Sequence, residues 1–375
     1  MLLDELAQHF GKIYFFASKS PLDSSLYQDG ESVYSYRIMA HNVELIELAS
    51  SDQRTVIGKG IRVFLNLAHL CKYIKYSELS YIFMPGYSGV ASCLISLIFK
   101  TPYILYFGSV WDKTAQFRLQ RNRINALLFP TYKRLYAKME KPVIKRARMC
   151  IVAGKGLYNM IWPLNQDTFE TVPMTPFQAD ISSYQGSRDI SRRVNLIFVG
   201  PINKGKGIVY LLRAIDLIEQ ADIRVFLNLA GSLHRKYQRE LDNLIVEFSL
   251  DEKVRFLGYI STSETLQKLY QESDVLVTPS LGEGFPRVIY EAMIMGLPVV
   301  ASDLNSIREN LAGEDLVSLV PPKDPQAIAD AVIELCRNKE LRKQRIVHGK
   351  AFAEKKLRGN PAEQLIQLLK EHDLY

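Results

Sequence analysis

Two carboxylates, Glu283 and Glu291, stand eight positions apart in the stretch from Ser273 to Leu311. On one helix that spacing makes about two turns, so both would share a face. Glu283 falls instead in a loop, Pro279-Ser280-Leu281-Gly282-Glu283-Gly284, whose glycines let backbone come close to a ligand. That arrangement sets the two carboxylates at opposite ends of one extended ligand. Taken singly, each has a blander reading, Glu283 as a helix-start acid favoured by the dipole and Glu291 as a solvated surface charge. Their frame argues for the ligand. A buried-strand run, Val275-Leu276-Val277, leads into the loop, a helical pattern runs from Phe285 to Met295, and a second buried strand, Pro298-Val299-Val300-Ala301, follows. Asp303 or Asn305 is then placed to cap the next helix.

A cationic counterpart lies upstream. The strand run Val194 to Val199 passes directly into Gly200-Pro201-Ile202-Asn203-Lys204-Gly205-Lys206-Gly207 and then into a helix through Ile218. A strand, a glycine loop and a helix N-terminus make an anion site from backbone N–H groups and the helix dipole, to which Lys206 adds a full charge. The spacing Gly200-x4-Gly205-Lys206 mimics a P-loop. Gly207, however, occupies the place of the magnesium-binding Ser or Thr, and no later strand ends in a suitable Asp. A lysine solvated at a helix start is the blander alternative.

The run Glu283-Gly284-Phe285-Pro286 through Glu291-Ala292-Met293, followed by Gly296-Leu297-Pro298-Val299-Val300-Ala301, resembles the E-x7-E signature of the retaining glycosyltransferases of family 4. The resemblance implies an α/β chain of the GT-B fold, with two Rossmann-like domains facing across a cleft and a C-terminal helix crossing back to the first. It implies that Glu283 faces a donor sugar, that Glu291 holds the ribose hydroxyls of a nucleotide, and that the backbone of Gly284 and Phe285 approaches sugar and phosphates. The loop at 200–207 is similar to the family's GR-x4-KG loop, in which an Arg and a Lys hold the donor diphosphate. Lys206-Gly207 matches, Pro201 stands where the Arg would be, and Lys204 or Arg287 is the candidate substitute. By the same resemblance Gly205 and Gly207 lie against the diphosphate, and Tyr259 and Ile260, after the strand Val254 to Leu257, neighbour the base. The family's His after an N-terminal strand is replaced here by Gly108.

The remaining chain must position these groups. With 375 residues, 47% of them apolar, it can bury a large core and divides most simply into two domains. The expected division is an acceptor-binding domain at 1–172, a linker at 173–193 rich in Pro, Gly and polar residues, a nucleotide-sugar domain at 194–355, and a final helical segment at 356–375 that packs back on the first. Strands are expected at Lys12 to Ala17, Tyr81 to Met84, Tyr103 to Phe107, Cys150 to Ala153 and Ile223 to Leu229, and helices at Ile61 to Ile74, Leu266 to Tyr270, Pro325 to Cys336, Leu341 to Lys355 and Pro361 to Lys370. Pro85 to Gly89 reads as a turn, and the apolar run from Gly89 to Phe99 as a core helix, too short to span a bilayer. The polar loop Ser18 to Ser25 and Asp112, the latter an N-cap or an acceptor-side carboxylate, sit where an open α/β sheet presents ligands.

Four scattered cysteines and a start, Met1-Leu2-Leu3-Asp4-Glu5, without a basic and apolar leader lead us to expect a reduced, cytoplasmic protein. No cofactor and no metal are expected, since no Cys/His cluster and no Asp-x-Asp occurs. Charge is concentrated. Between Lys113 and Arg148 eleven basic residues face Glu140 alone, so the remainder of this +7 chain is net acidic. Phe117, Ile124, Leu128, Tyr132, Leu135 and Met139 recur there at helical spacing, with Pro130 set to kink or break the helix. Phe117, Phe129, Tyr132 and Tyr136 interleave with the basic residues, a pattern suited to an anionic membrane surface, an anionic acceptor or nucleic acid, the last disfavoured for want of a recognised module. The expected partners are a nucleotide-sugar donor, a glycan or lipid-linked acceptor and the inner membrane face. Two rival classes stay open, a non-catalytic GT-B protein and a P-loop phosphohydrolase.

Overall fold

The computed structural model describes residues 2–18, 40–48, 66–108, 123–171, 189–260, 262–283, 287–311, 315–357 and 360–374. They form two units, one built from the described residues of 1–23, 35–172 and 359–375 and the other from those of 173–358. Short apolar runs alternating with helices dictate this construction, because such strands bury both faces only inside a parallel sheet covered by helices.

In the first unit, helix α1 (Leu2–Ala7) precedes strand β1 (Ile13–Ser18), which pairs in parallel with β2 (Val43–Leu48). Residues 66–74 are helical (α2). A four-stranded parallel sheet follows in chain order: β3 (Ser80–Met84), β4 (Tyr103–Phe107), β5 (Met149–Val152) and β6 (Thr168–Glu170). Its connections are helices α3 (Tyr87–Phe99), α4 (Arg123–Arg146) and α5 (Lys155–Ile161). The last helix of the chain, α13 (Pro361–Glu371), belongs to this unit: its Leu365, Ile366 and Leu369 pack with Leu6, Ile104, Met149 and Ile151. Asn360 caps it by accepting the amide of Ala362 at 2.8 Å, and Gln364 Nε2 donates to the carbonyl of Glu170 at 3.0 Å.

Four expectations are corrected in this unit. The helix after β3 begins at Tyr87, so Ser88 and Gly89 are its first turn rather than part of a loop. It is half-buried rather than a core helix, with Val90, Cys93 and Ser96 inside and Leu94 and Ile98 exposed. Pro130 does not break helix α4, which continues through it and through Pro142. Both prolines are exposed, where water can take up the carbonyls they leave without an amide partner. The buried face of α4 is displaced by one position: Leu135 is 55% exposed, while Tyr136 is buried with Val143 and Ile144 and accepts the Gly86 amide at 2.9 Å. Tyr136 is therefore a core residue and not one of the aromatics interleaved with surface charge. The loop at Ser18 to Ser25 (beyond residue 18), residues 61–65, Asp112, the basic residues from Lys113 to Arg121 and the linker from 172 to 188 lie outside the described residues.

The second unit is a six-stranded parallel sheet in the order β12 (Ser318–Val320), β11 (Val299–Ser302), β10 (Val275–Thr278), β7 (Arg193–Val199), β8 (Arg224–Ala230), β9 (Val254–Gly258). The chain starts at β7 in the middle, builds outward to β9, then returns to lay β10 against the other side of β7. Between β7 and β10 the strand order reverses, and in open α/β sheets ligands bind at the carboxyl ends beside such a reversal. Alternate side chains serve opposite faces. Val194, Leu196, Phe198, Val275 and Val277 pack with α6 (Ile208–Glu219), α7 (Arg235–Glu247) and α11 (Pro325–Arg337). Ile197, Leu276, Val299 and Ala301 pack with α8 (Ser263–Glu272), α9 (Arg287–Ile294), α10 (Asn305–Asn310) and α12 (Lys339–Leu357). Asp324 and Thr262 cap α11 and α8 by accepting the amides of Ala327 at 3.0 Å and Thr265 at 3.3 Å. Neither Asp303 nor Asn305 caps α10: Leu304 holds that position, because the Asp303 carboxylate is taken by a two-pronged pairing with Nε and Nη2 of Arg308.

Candidate active site

Two loops meet at the reversal. After β7, residues Lys204–Lys206 form one 3₁₀ turn, which Asn203 closes by accepting the Gly205 amide on its side chain at 2.9 Å and the Lys206 amide on its carbonyl at 3.0 Å. Gly207 follows at φ 68°, the left-handed region, and a Cβ there would stand 2.1 Å from the carbonyl oxygen of Pro279 in the loop after β10. Only glycine allows that approach. A backbone hydrogen bond ties the same loops, the Leu281 amide donating to the Gly205 carbonyl at 2.8 Å. The lysine between the two glycines is thereby carried to the carboxylate of the other loop.

Lys206 Nζ pairs with Glu283 Oε1, and both side chains are largely withdrawn from solvent, at 22% and 14% exposure. The buried Ser280 hydroxyl donates to the same oxygen at 2.7 Å, and the Ser306 hydroxyl donates to the backbone carbonyl of Glu283 at 2.7 Å. Glu283 is thus held at its carboxylate by two donors and at its backbone by a third. Hydrogen bonds to a charged group contribute about 1.5–3 kcal/mol each, enough to fix one rotamer against the entropy of a free glutamate side chain, up to about 2 kcal/mol.

Glu291 lies on α9 and is 5% exposed, which excludes the solvated-charge reading. Its Oε2 accepts the hydroxyl of the fully buried Tyr270 on α8 at 3.0 Å. Burial pushes the Glu291 carboxyl above the ordinary carboxylate range, while the Tyr270 hydroxyl and the nearby Arg287 guanidinium act to lower it. A buried carboxylate with a donor on one oxygen can accept a further hydroxyl on the other.

The other expected residues divide. Gly205 and Gly207 are at the loop junction, but the amides of Gly205, Lys206 and Gly207 are bonded inside the turn, to Asn203 and Lys204. They do not form the expected anion cradle, and a P-loop nest is absent from these residues for the same reason. Lys204 pairs with Glu240 at 2.7 Å, with 72% of its side chain exposed. Tyr259 and Ile260 follow β9, Tyr259 exposed and Ile260 partly so. Their loop is joined to the others through Gly231, whose amide donates to the Gly258 carbonyl at 2.7 Å and whose absent Cβ would meet the Gly200 carbonyl oxygen at 1.9 Å. Gly284 and Phe285 lie outside the described residues. Asn203, Ser280, Ser306 and Tyr270 were not anticipated. Ser280, three residues before Glu283, and Asn203, three before Lys206, carried a local signal; Ser306 and Tyr270 reach the site from more distant sequence.

Parallel sheets in both units, covered by helices and completed by a last helix on the first, define the two-unit Rossmann-like GT-B fold. The crystal structure of Anabaena Alr3699/HepE in complex with UDP superposes over 99% of this chain and 95% of its own, with a TM-score of 0.67 at 17% identity. Residues 193–338 match the family model of glycosyl transferases group 1, so the pattern of that family covers the second unit's sheet and the site. A phosphatidyl-myo-inositol mannosyltransferase of Mycobacterium leprae is 40% identical over 101 residues, 27% of each chain. An Escherichia coli O-antigen chain mannosyltransferase B is 31% identical over 176 residues, 46% of this chain and 45% of its own. The chain therefore aligns with less than half the length of either relative.

Proposed function

We propose that this chain is a retaining, family 4 glycosyltransferase that moves a sugar from a nucleotide-diphosphate sugar to a glycan or lipid-linked acceptor in surface polysaccharide or glycolipid synthesis. The observation that carries the reading is the meeting of Lys206 and Glu283, from loops after β7 and β10, at the sheet's reversal. UDP in the structural neighbour, and the lipid and O-antigen acceptors named for the two relatives, support the donor and acceptor classes.

In this reading the bond between the anomeric carbon and the diphosphate breaks, its electron pair leaves with the phosphate oxygen, and Lys206 meets the charge that develops there. Glu283, held by Ser280, orients the sugar; the acceptor hydroxyl enters on the face the phosphate leaves, and its proton passes to the departing phosphate. Glu291 takes the ribose hydroxyls, the backbone of Gly284 and Phe285 lies along sugar and phosphates, and Tyr259 and Ile260 flank the base. Charge compensation by Lys206 needs no metal, and the sequence has no Asp-x-Asp to hold one.

The acceptor side is assigned to the first unit, and the enzyme to the inner membrane face. Exposed Arg134, Lys138, Lys141 and Lys145 on α4, with exposed Leu135 among them, support that placement. Among the described residues no helix is long and apolar enough to cross a membrane. A thermal-shift screen of nucleotide sugars tests the function, since a ligand at about 100 times its dissociation constant adds roughly 2.7 kcal/mol to stability. The anomeric configuration of the product then tests retention. Inversion would overturn the mechanism, and binding without turnover across donors and acceptors would favour a non-catalytic GT-B protein.

A further inference from the structure

Tyr270 belongs to α8, 21 positions before Glu291, and its ring is fully enclosed among Ile197, Leu276, Ile289 and Met293. Nothing apolar in that cluster calls for a hydroxyl; phenylalanine would fill the space. The hydroxyl reaches out of the cluster to Glu291 Oε2 at 3.0 Å. A tyrosine O–H buried this deeply needs a partner, and a buried carboxylate with a donor fixed on one oxygen presents the other in a defined direction. Resting on the ribose reading of Glu291, we propose that Tyr270 is a positioning residue for nucleotide selection: its hydroxyl anchors one oxygen of Glu291 so that the second meets the ribose diol, and the chain thereby tells ribonucleotides from deoxyribonucleotides.

The blander possibility is that Glu291 merely satisfies a core tyrosine. The two differ in what the hydroxyl does to sugar selectivity, because a packing role alters affinity for all nucleotides alike. Calorimetric titration of the full chain with UDP and GDP, and with their 2′,3′-dideoxy forms, reads this as a ratio of dissociation constants. Wild type is expected to favour the ribo form of its preferred base by about tenfold, the scale of one hydrogen bond to a charged group. Tyr270→Phe and Glu291→Gln should each bring that ratio close to one while the dideoxy affinity stays at the wild-type value. A wild-type ratio near one, or a ratio that survives Glu291→Gln, overturns the ribose assignment and the proposal with it. A ratio lost in Glu291→Gln but kept in Tyr270→Phe overturns the proposal alone. Should Tyr270→Phe not fold, 3-fluorotyrosine introduced at position 270 keeps both ring and hydroxyl; the wild-type ratio is expected there, and its loss contradicts the proposal.

Discussion

Lys206 and Glu283 are separated by 77 positions and meet in one ion pair between the two loops. In the proposed reaction donor binding diverts Lys206 toward the diphosphate, which makes its charge most valuable as the leaving group departs. Lys206→Ala is expected to lower turnover by about 10² to 10³, the scale of one preorganised group on a leaving oxygen. Lys204→Ala should leave turnover within a few-fold of wild type, because Lys204 is engaged with Glu240 at the surface. Steady-state kinetics with the identified donor checks both, and the reverse order would move the phosphate site to the other lysine. The carboxylates should separate in the same assay. Ribose contacts are equal in ground and transition states, so Glu291→Ala raises the donor KM; the sugar contact tightens as the bond breaks, so Glu283→Ala lowers kcat. Near wild-type values in both would remove these roles. Glu291 also sets a pH limit: its carboxyl is raised by burial, so donor affinity should begin to fall, on acidification, above the ordinary carboxylate range, and a flat profile there would contradict ionised Glu291 as the ribose acceptor.

The contact between the two loops depends on one backbone position. Gly207 sits at φ 68° with a carbonyl oxygen where a Cβ would be, so Gly207→Ala combines left-handed strain of about 1–2 kcal/mol with a forced separation of the loops. Each kcal/mol shifts the melting temperature of a unit this size by about 2–4 °C, and the variant should melt lower and lose donor affinity together. An unchanged melting curve would mean that the loops do not touch. The strand leading into this contact was readable from the sequence, as were elements elsewhere in the chain. Val194 to Val199 and Tyr103 to Phe107 are apolar runs bounded by glycine or polar residues, and Asp324-Pro325 and Asn360-Pro361 announce helix starts by cap and proline. The buried face of α4 was not readable, because Leu135 and Tyr136 both suit an interior and the choice between them rests on the Gly86 amide, 50 positions away. Asp303 suits a cap by local pattern, but Arg308, five positions on, takes its carboxylate. Within the site, Glu283, Glu291 and Lys206 stood out by spacing, whereas Tyr270 and Ser306 read as ordinary helix residues until the fold brought them to the carboxylates.

At the scale of the whole molecule, exposed cations on α4 predict salt-sensitive binding to anionic liposomes. Each Lys or Arg at such a surface contributes about 1 kcal/mol, so four or five hold the chain there reversibly. Replacing Lys133, Arg134 and Lys138 with Glu should release it in co-sedimentation, and binding indifferent to salt and to these changes would leave the basic face without a membrane role. Activity is expected to survive EDTA; a loss restored by magnesium or manganese would contradict charge compensation by Lys206. The central claim is that the junction after β7 and β10 binds a nucleotide-diphosphate sugar through Lys206. Calorimetric titration of a nucleotide-sugar panel against wild type and Lys206→Ala tests it most directly. The account predicts one donor bound by wild type and weakened at least about tenfold in the variant, the loss of one charge-assisted contact. A donor bound equally by both proteins, or no donor bound by wild type, would contradict it.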